Sequence, residues 1–178
     1  MMKSVLSPLR GKRVALVTNQ SSFTPDWKSS RLHLHELIGL SCLYAPEHGL
    51  GGYVDRGEGV ADTTDPLTGL PVRSLYRGEK AQRATFDDLD HLISDIQDVG
   101  VRFYTYISTL RQIMETGIPV TVIDRPNPLG GRVVEGVVLR PEDESFVGPR
   151  GLPIRYGLTI GELAYWMNEE YELGCDLT

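Results

Sequence analysis

Four short apolar runs, each followed by polar, glycine or proline residues, constrain the fold of this 178-residue chain most strongly. The runs lie at residues 11–18, 40–45, 91–96 and 120–123. Segments with the pattern of amphipathic helices lie between them, at 29–40 and 105–116. Continuous apolar runs are typical of parallel strands that are buried on both faces. The alternation therefore predicts an α/β fold, a Rossmann-like, doubly wound, mostly parallel sheet with helices on both faces.

The composition is that of one globular domain spanning residues 1–178. Apolar residues make up 40% of the chain and charged residues 24%, which is enough to build an ordinary core. A formal net charge of −6 argues against a nucleic acid or an anionic membrane surface as partner. No apolar run is long enough to span a bilayer. Cys42 and Cys175 match no metal-binding spacing, so we expect a buried Cys42 thiol and no disulfide framework.

Cofactor motifs are absent from the sequence. No Gly-x-Gly-x-x-Gly fingerprint follows the first predicted strand, and neither a phosphate-binding loop nor a Gly-x-Ser-x-Gly elbow occurs. We therefore expect no dinucleotide, no metal and no other cofactor. Residues 1–8 lack the apolar core of a signal peptide. This predicts a cytoplasmic protein, unless a longer natural N-terminus carries an export signal.

The densest polar chemistry surrounds the turn between the strand predicted at 91–96 and the helix that follows. Asp95, Asp98, Arg102 and Tyr104 crowd this turn. In an open α/β sheet it lies at the carboxyl edge, where ligands usually bind. We interpret it as one wall of a polar pocket. The alternative is a structural loop in which Arg102 forms an ion pair with one of the two aspartates.

A second polar edge follows the strand predicted at 40–45. Glu47 and His48 stand there after a proline and before a glycine-rich turn. A Glu at the end of a buried strand is partly shielded from water, which favours its protonated form and suits it to act as a general acid. The alternative is a Glu that accepts backbone hydrogen bonds and fixes the loop.

The other two strand ends also carry polar side chains. Asn19 follows the first strand, where a plain turn or a helix cap is the alternative interpretation. Asp124, Arg125 and Asn127 follow the strand predicted at 120–123 and offer partners for carboxylate or hydroxyl groups. Because the carboxyl ends of parallel strands meet at one edge, these residues are predicted to share a ligand site.

Two further segments are predicted from local patterns. Thr159 and Glu162 have the spacing of a capping box, which makes Glu162 a structural residue. Residues 53–65 have little apolar periodicity and predict a long loop or flap, with Arg56 and Glu58 as polar contacts.

Taken together, the motifs resemble a known family. They are Val17-Thr18-Asn19-Gln20, Pro46-Glu47-His48-Gly49, Thr68-Gly69-Leu70-Pro71-Val72, Asp95-Ile96-Gln97-Asp98-Val99-Gly100, Arg102-Phe103-Tyr104-Thr105-Tyr106, Asp124-Arg125-Pro126-Asn127-Pro128-Leu129-Gly130-Gly131 and Thr159-Ile160-Gly161-Glu162-Leu163. In this order they resemble the bacterial exo-β-N-acetylmuramidases, formerly a family of unknown function. The likeness runs from about Leu9 to the end of the chain.

The resemblance implies a glycoside hydrolase of cell-wall recycling that releases N-acetylmuramic acid from the non-reducing end of peptidoglycan fragments. It also implies a Rossmann-like catalytic domain followed by a smaller auxiliary domain, with the active cleft between them. Family members are longer, so this chain matches their first part. The sequence departs from the family pattern at Tyr156, where His is usual, and at Gly51 and Gly52, where a charged residue is usual.

The resemblance and the chemistry of the strand end both point to Glu47 as general acid. Glycosidases commonly use two carboxyl groups, and substrate assistance is an accepted exception. The second group stays open between Asp95, Asp98, Asp124 and Glu135, or the substrate's own acetamido oxygen with an Asp orienting it.

The remaining candidates are substrate contacts. Arg102 and Arg125 would bind the lactyl carboxylate that distinguishes muramic acid from glucosamine. Contacts with sugar hydroxyls or the acetamide are expected from Asn19, His48, Tyr104 and Asn127. Two competing hypotheses are a non-catalytic muropeptide- or sugar-binding domain and an inactive fragment of such an enzyme. The sequence leaves the oligomeric state open, with a homodimer as one candidate.

Overall fold

A computed structural model describes residues 2–55, 58–76 and 86–178. Arg56, one of the predicted loop contacts, lies outside the described residues. The strands are β1 (Val14–Thr18), β2 (Cys42–Ala45), β3 (Thr63–Thr64), β4 (Pro71–Ser74), β5 (His91–Asp95) and β6 (Val120–Val122). The α-helices are α1 (Met2–Leu6), α2 (Ser30–Ile38), α3 (Tyr106–Met114) and α4 (Ile160–Glu170), with 3₁₀ turns at Ser7–Leu9 and Pro141–Asp143.

The described strands form one sheet in the order β3-β4-β2-β1-β5-β6. Every neighbouring pair is parallel except β3 with β4. From β1 in the middle, the chain winds outward to β2 and β4 and then returns to β5 and β6 on the other side. This confirms the predicted doubly wound, mostly parallel fold. The winding reverses between β1 and β5, where such sheets open a crevice at their carboxyl ends.

Side chains of β1 alternate between two cores, one on each face of the sheet. Val14 and Leu16 pack on the face covered by α2, together with Leu34. Ala15 and Val17 pack on the opposite face, which α3 and α4 cover. We call these the α2 face and the α3 face. The prediction of helices on both faces is confirmed, and the alternation decides on which face each edge residue lies.

Local predictions also hold in atomic detail. The hydroxyl of Thr159 accepts a hydrogen bond from the Glu162 amide at 3.2 Å, and the Glu162 carboxylate accepts one from the Thr159 amide at 2.9 Å. Cys42 and Cys175 are buried free thiols. The antiparallel edge strand β3 and the short helix α1 were not predicted. No described helix is long and apolar enough to cross a membrane.

Between β6 and α4, residues 123–159 form a long connection that we call the excursion. Antiparallel bridges link Arg155 to Val101 and to Glu135. Val133, Val134, Val137 and Val138 of this excursion all lie exposed, Val137 by 72%. We call these four valines the apolar strip. Exposed apolar clusters are common at interaction surfaces, so the strip is a candidate contact surface.

Candidate active site

Glu47 lies just beyond the end of β2 and is only 5% exposed. The following residue, His48, has a left-handed backbone with φ 71°. Its Nδ1 donates a hydrogen bond to the carbonyl of Val54 at 2.8 Å. Because a carbonyl oxygen can only accept, Nδ1 carries the proton of this bond. The loop after β2 is thus fixed by His48, and the buried setting predicted for Glu47 is confirmed.

Asn19, Glu47, Tyr104 and Tyr106 form a group that we call the Glu47 cluster. Burial raises the pKa of Tyr106 to about 12, the Asn19 side chain opposes that rise, and the nearby Glu47 carboxylate adds to it. Tyr104 packs edge-on against Tyr106, with ring centroids 4.8 Å apart. Tyr106 belongs to the core of the α3 face. The cluster therefore combines a buried carboxyl group, an amide and two phenols at the carboxyl edge.

Asn19 is fully engaged on its acceptor side. Its Oδ1 accepts hydrogen bonds from the amide and the hydroxyl of Ser21, at 2.9 and 2.6 Å. Its buried Nδ2 has no acceptor at hydrogen-bonding geometry among the described residues. The structure gives Asn19 the predicted turn-fixing contact, and its side chain also interacts with Tyr106 within the Glu47 cluster.

Asp98 is buried on the α3 face beside Tyr156. Its Oδ2 accepts hydrogen bonds from the Tyr156 hydroxyl and from the Gly100 amide, the latter at 2.8 Å. Its Oδ1 is buried and meets no donor in the described part of the chain. Burial raises the pKa of Asp98, and the bond from Tyr156 works against that rise. Tyr156, the departure from the family pattern, is thus a buried partner of a candidate catalytic carboxyl group.

Asp95 lies on the α2 face, because it follows Ile93 by two positions in β5 and Ile93 belongs to that core. Arg125 Nε donates to Asp95 Oδ1 at 2.6 Å in a nearly buried ion pair. Asp95 Oδ2 is buried with no donor among the described residues. Arg125 also donates to the Phe23 carbonyl at 3.0 Å, which ties the loop after β1 to the loop after β6.

Arg102 does not form the ion pair that was the structural alternative. Its Nη1 donates to the carbonyls of Val137 and Leu152, at 2.8 and 2.6 Å. Among the described ion pairs, none joins Arg102 to Asp95 or Asp98. Arg102 therefore anchors the excursion, and its partners among the described residues are carbonyl groups.

Three other predicted substrate contacts hold the surrounding loops. Asp124 accepts hydrogen bonds from the Gly161 amide at 2.8 Å and from the Thr159 hydroxyl at 3.1 Å, so it helps to cap α4. Asn127 Nδ2 donates to the Leu158 carbonyl at 2.8 Å. Glu135 pairs with Arg155 at 2.8 Å on the exposed excursion. Their contacts with a substrate stay predictions.

A cavity of about 550 Å³ opens at the switch point between β1 and β5. Its lining includes Ser21, Phe23, Trp27, Asp95, Gln97 and Arg125. Glu47 is not among the lining residues, so the cavity does not contain the Glu47 cluster. The two adjoin through Ser21, which lines the cavity and bonds to Asn19. The sequence analysis missed Phe23 and Trp27, although two aromatic residues in a polar turn after a strand end were a usable signal. No group of three potential metal ligands occurs among the described residues.

Comparison with known proteins places these features in a family. The family model described as "Exo-beta-N-acetylmuramidase NamZ, N-terminal" matches residues 14–178. The chain belongs to this family. The peptidoglycan beta-N-acetylmuramidase NamZ of Bacillus subtilis (strain 168) is 46% identical over 177 residues, which cover 96% of this chain and 43% of that protein.

Two solved structures share the fold of this chain. Both are DUF1343 family proteins from Bacteroides fragilis NCTC 9343. The first has a TM-score of 0.85 and 40% identity, and the match covers 99% of this chain and 47% of that one. The second has a TM-score of 0.80 and 34% identity, with coverages of 100% and 49%. The chain thus spans less than half the length of each of these relatives.

Proposed function

We propose that this chain carries the catalytic carboxyl groups of an exo-β-N-acetylmuramidase, a glycosidase acting on peptidoglycan fragments. The observation that carries the proposal is the buried Glu47 at the carboxyl edge of the sheet, next to Asn19 and Tyr106. It stands in a chain that is 46% identical to a peptidoglycan beta-N-acetylmuramidase. Glycosidases commonly use a carboxyl group as general acid, and the carboxyl edge of an open α/β sheet is where a ligand would meet it.

Glu47 is the proposed general acid. Its burial shields it from bulk water, and the Pro46 carbonyl accepts the Gly49 amide at 3.0 Å, which holds the turn that presents it. A protonated Glu47 would donate its proton to the glycosidic oxygen as the bond to the leaving sugar breaks. The His48 ring beside it would then offer a hydrogen-bonding group to the substrate.

Asp98 is a better partner for Glu47 than Asp95. Asp98 and the Glu47 cluster both contact the α3 face through Tyr156 and Tyr106, whereas Asp95 lies on the α2 face in an ion pair. One strand, β1, separates β2 from β5, so their backbones are roughly 10 Å apart. That spacing leaves room for a water molecule or for the substrate's acetamido group between the two carboxyl groups.

Arg102 is the stronger candidate for the lactyl carboxylate. The charge of Arg125 is neutralised by Asp95 at 2.6 Å, whereas among the described residues Arg102 bonds to carbonyl groups. An arginine whose charge is not already paired attracts a carboxylate more strongly. Selectivity for muramic acid over glucosamine would follow from this contact.

The complete active cleft would include a second domain that covers the apolar strip. The relatives continue beyond the matched part, since this chain covers only 43% of the Bacillus protein. Arg102 ties the strip to the site through the Val137 carbonyl. A domain docked on these valines would therefore lie beside the turn that carries Asp98 and Arg102, which fits an active cleft between two domains.

Hydrolysis of a chromogenic aryl N-acetyl-β-muraminide tests the proposal, with the matching N-acetyl-β-glucosaminide as control. We expect release from the muraminide by this chain, alone or after addition of the remaining part of the Bacillus relative. No release by the chain alone or with the added part, while circular dichroism shows that the chain is folded, would refute the proposal. Sugar binding without hydrolysis would instead favour the non-catalytic binding domain.

A further inference from the structure

We propose that the cavity at the β1/β5 switch point is a subsite for a neutral N-acetylated hexose, adjacent to the sugar on which Glu47 acts. The identity of this hexose as the leaving sugar rests on the proposed function. The cavity itself does not, because its shape and lining are independent of Glu47. Its volume of about 550 Å³ lies in the usual range for small-molecule sites.

The outer wall of the cavity is aromatic. Trp27 is 82% exposed, and its ring lies 6.1 Å from that of Phe23, between centroids. Trp27 has a left-handed backbone with φ 61°, which is unusual for a bulky residue. Its turn is fixed by Thr24, whose carbonyl accepts the Trp27 amide and whose amide donates to the Lys28 carbonyl, both at 2.9 Å. A strained, exposed indole held over a cavity indicates a surface for stacking on a ligand.

The inner wall is polar and has an unused acceptor. Gln97 Nε2 donates to the carbonyls of Asp98 and Pro126, at 2.7 and 3.0 Å. Both of its amide hydrogens are thus used, and its Oε1 is the acceptor left for a ligand that donates there. Sugar hydroxyls and an acetamide N–H are such donors. The apolar face of the same ring would lie against the indole.

The charge of the lining disfavours an acidic ligand. Among the described lining residues, Asp95 and Asp124 are the carboxylates, and Arg125 is the only arginine or lysine. Arg125 is already bound to Asp95 at 2.6 Å. An anion such as the lactyl group of muramic acid would therefore meet net negative charge, whereas a neutral N-acetylhexosamine would not.

The cavity and the Glu47 cluster share a wall. Ser21 lines the cavity, and both its amide and its hydroxyl donate to Asn19 of the cluster. The Gln97 amide in turn donates to the Ser21 hydroxyl at 3.0 Å. Two linked sugars could thus occupy the two sites on either side of Asn19, with the bond between them near Glu47.

Intrinsic fluorescence tests this assignment directly. The sequence contains two tryptophans, so a Trp166→Phe chain reports on Trp27 alone. We expect a saturable blue shift on titration with N-acetylglucosamine, and at least 10-fold weaker binding of N-acetylmuramic acid. Calorimetry of a Trp27→Ala chain should show N-acetylglucosamine affinity reduced by about 10-fold, which corresponds to an aromatic contact of about 1.4 kcal/mol.

Three outcomes would overturn the assignment. They are no saturable shift with N-acetylglucosamine, unchanged affinity after Trp27→Ala, or binding of N-acetylmuramic acid that is tighter than that of N-acetylglucosamine. Hydrolysis by the unmodified chain, measured alone and with the remaining part of the Bacillus relative, separates this inference from the proposed function. Binding of N-acetylglucosamine without hydrolysis of any muraminide in either case would uphold the subsite and reject the glycosidase. Hydrolysis without such binding would do the reverse.

Discussion

At the scale of single residues, the pairing of Asp98 with Tyr156 is the most consequential contact that the sequence did not reveal. A buried Asp with a raised pKa favours its protonated form in the folded state. Its contribution to stability is therefore most favourable below the ordinary pKa of Asp and is lost as the pH rises through the raised pKa. The Tyr156 hydroxyl limits this loss because it donates to the ionised carboxylate.

Tyr156→Phe should consequently destabilise the protein most at neutral pH. Ionised Asp98 would lose a buried donor, which costs roughly 1–3 kcal/mol, whereas protonated Asp98 at acid pH needs that donor less. Urea unfolding at the two pH values measures the difference. Tyr165→Phe is the matched control, since Tyr165 is exposed on α4. A loss that is equal at both pH values would contradict the coupling.

Gly100 is required for a second reason beside its amide bond to Asp98. It has φ +83°, and an added Cβ would lie 2.3 Å from Asn127 Oδ1. Asn127 cannot easily move, because that oxygen accepts the Leu129 amide at 2.9 Å. A side chain at position 100 would therefore both strain the backbone and clash with Asn127.

Gly100→Ala should lower the free energy of unfolding more than Gly117→Ala. Gly117 has φ +78° with open space around it, so its substitution adds only left-handed strain, roughly 1–2 kcal/mol. The substitution at Gly100 adds the clash to the same strain, and we expect about twice that loss. Chemical denaturation of both variants compares them. Equal losses of unfolding free energy would show that the Asn127 side chain moves aside at little cost.

At the scale of elements, the strands were predicted well because apolar runs and their polar ends are local signals. The strand at 91–96 was found as β5 and the helix at 105–116 as α3, each with slightly shorter bounds. Two features of the edge could not be predicted locally. Which face Asp95 takes depends on the register of β5, and the partners of Arg102 come from residues 35 and 50 positions away. Long-range contacts of this kind leave no periodic pattern in one sequence.

The N-terminus of α4 is fixed from two directions. Thr159 and Glu162 form the predicted capping box, and Asp124 from the loop after β6 accepts the Gly161 amide. Carboxylates near a helix N-terminus also interact favourably with its dipole. The helix start is therefore coupled to the loop that carries Arg125 at the cavity.

Thr159→Ala should destabilise the protein by roughly 1–2 kcal/mol, since it removes the acceptor for the Glu162 amide and a donor to Asp124. Thr159→Ser keeps the hydroxyl and should stay close to the wild type. Thermal unfolding of the two variants measures the contrast. Similar losses for both would mean that the methyl group, not the hydroxyl, matters at this position.

At the scale of the whole molecule, the apolar strip is the exposed surface with the clearest candidate role. Its valines are exposed although the described core fills both faces of the sheet. A surface of this kind is typical of a contact with another domain or another copy. The sequence analysis named both a following domain and a homodimer, and we propose the strip as the docking surface for such a partner.

Val137→Asp should leave the isolated chain as stable as the wild type, within roughly 0.5 kcal/mol, because Val137 is 72% exposed. It should weaken association with the remaining part of the Bacillus relative, since a charge would be buried there. Analytical ultracentrifugation measures both association and self-association. Leu67→Asp, an exposed apolar residue in the turn between β3 and β4, is the control and should change neither. If Val137→Asp associates as strongly as the wild type, the docking surface does not include Val137.

The central claim is that Glu47 donates a proton to a leaving sugar, and Glu47→Gln tests it most directly. Hydrolysis by the variant should be compared on two substrates, an aryl N-acetyl-β-muraminide and a disaccharide with N-acetylmuramic acid at its non-reducing end. Aryl leaving groups need little acid assistance, whereas a sugar alkoxide needs much. We predict a loss of roughly 10²–10⁴-fold on the disaccharide and a much smaller loss on the aryl substrate. Full activity on both substrates, in a folded variant, would contradict the account.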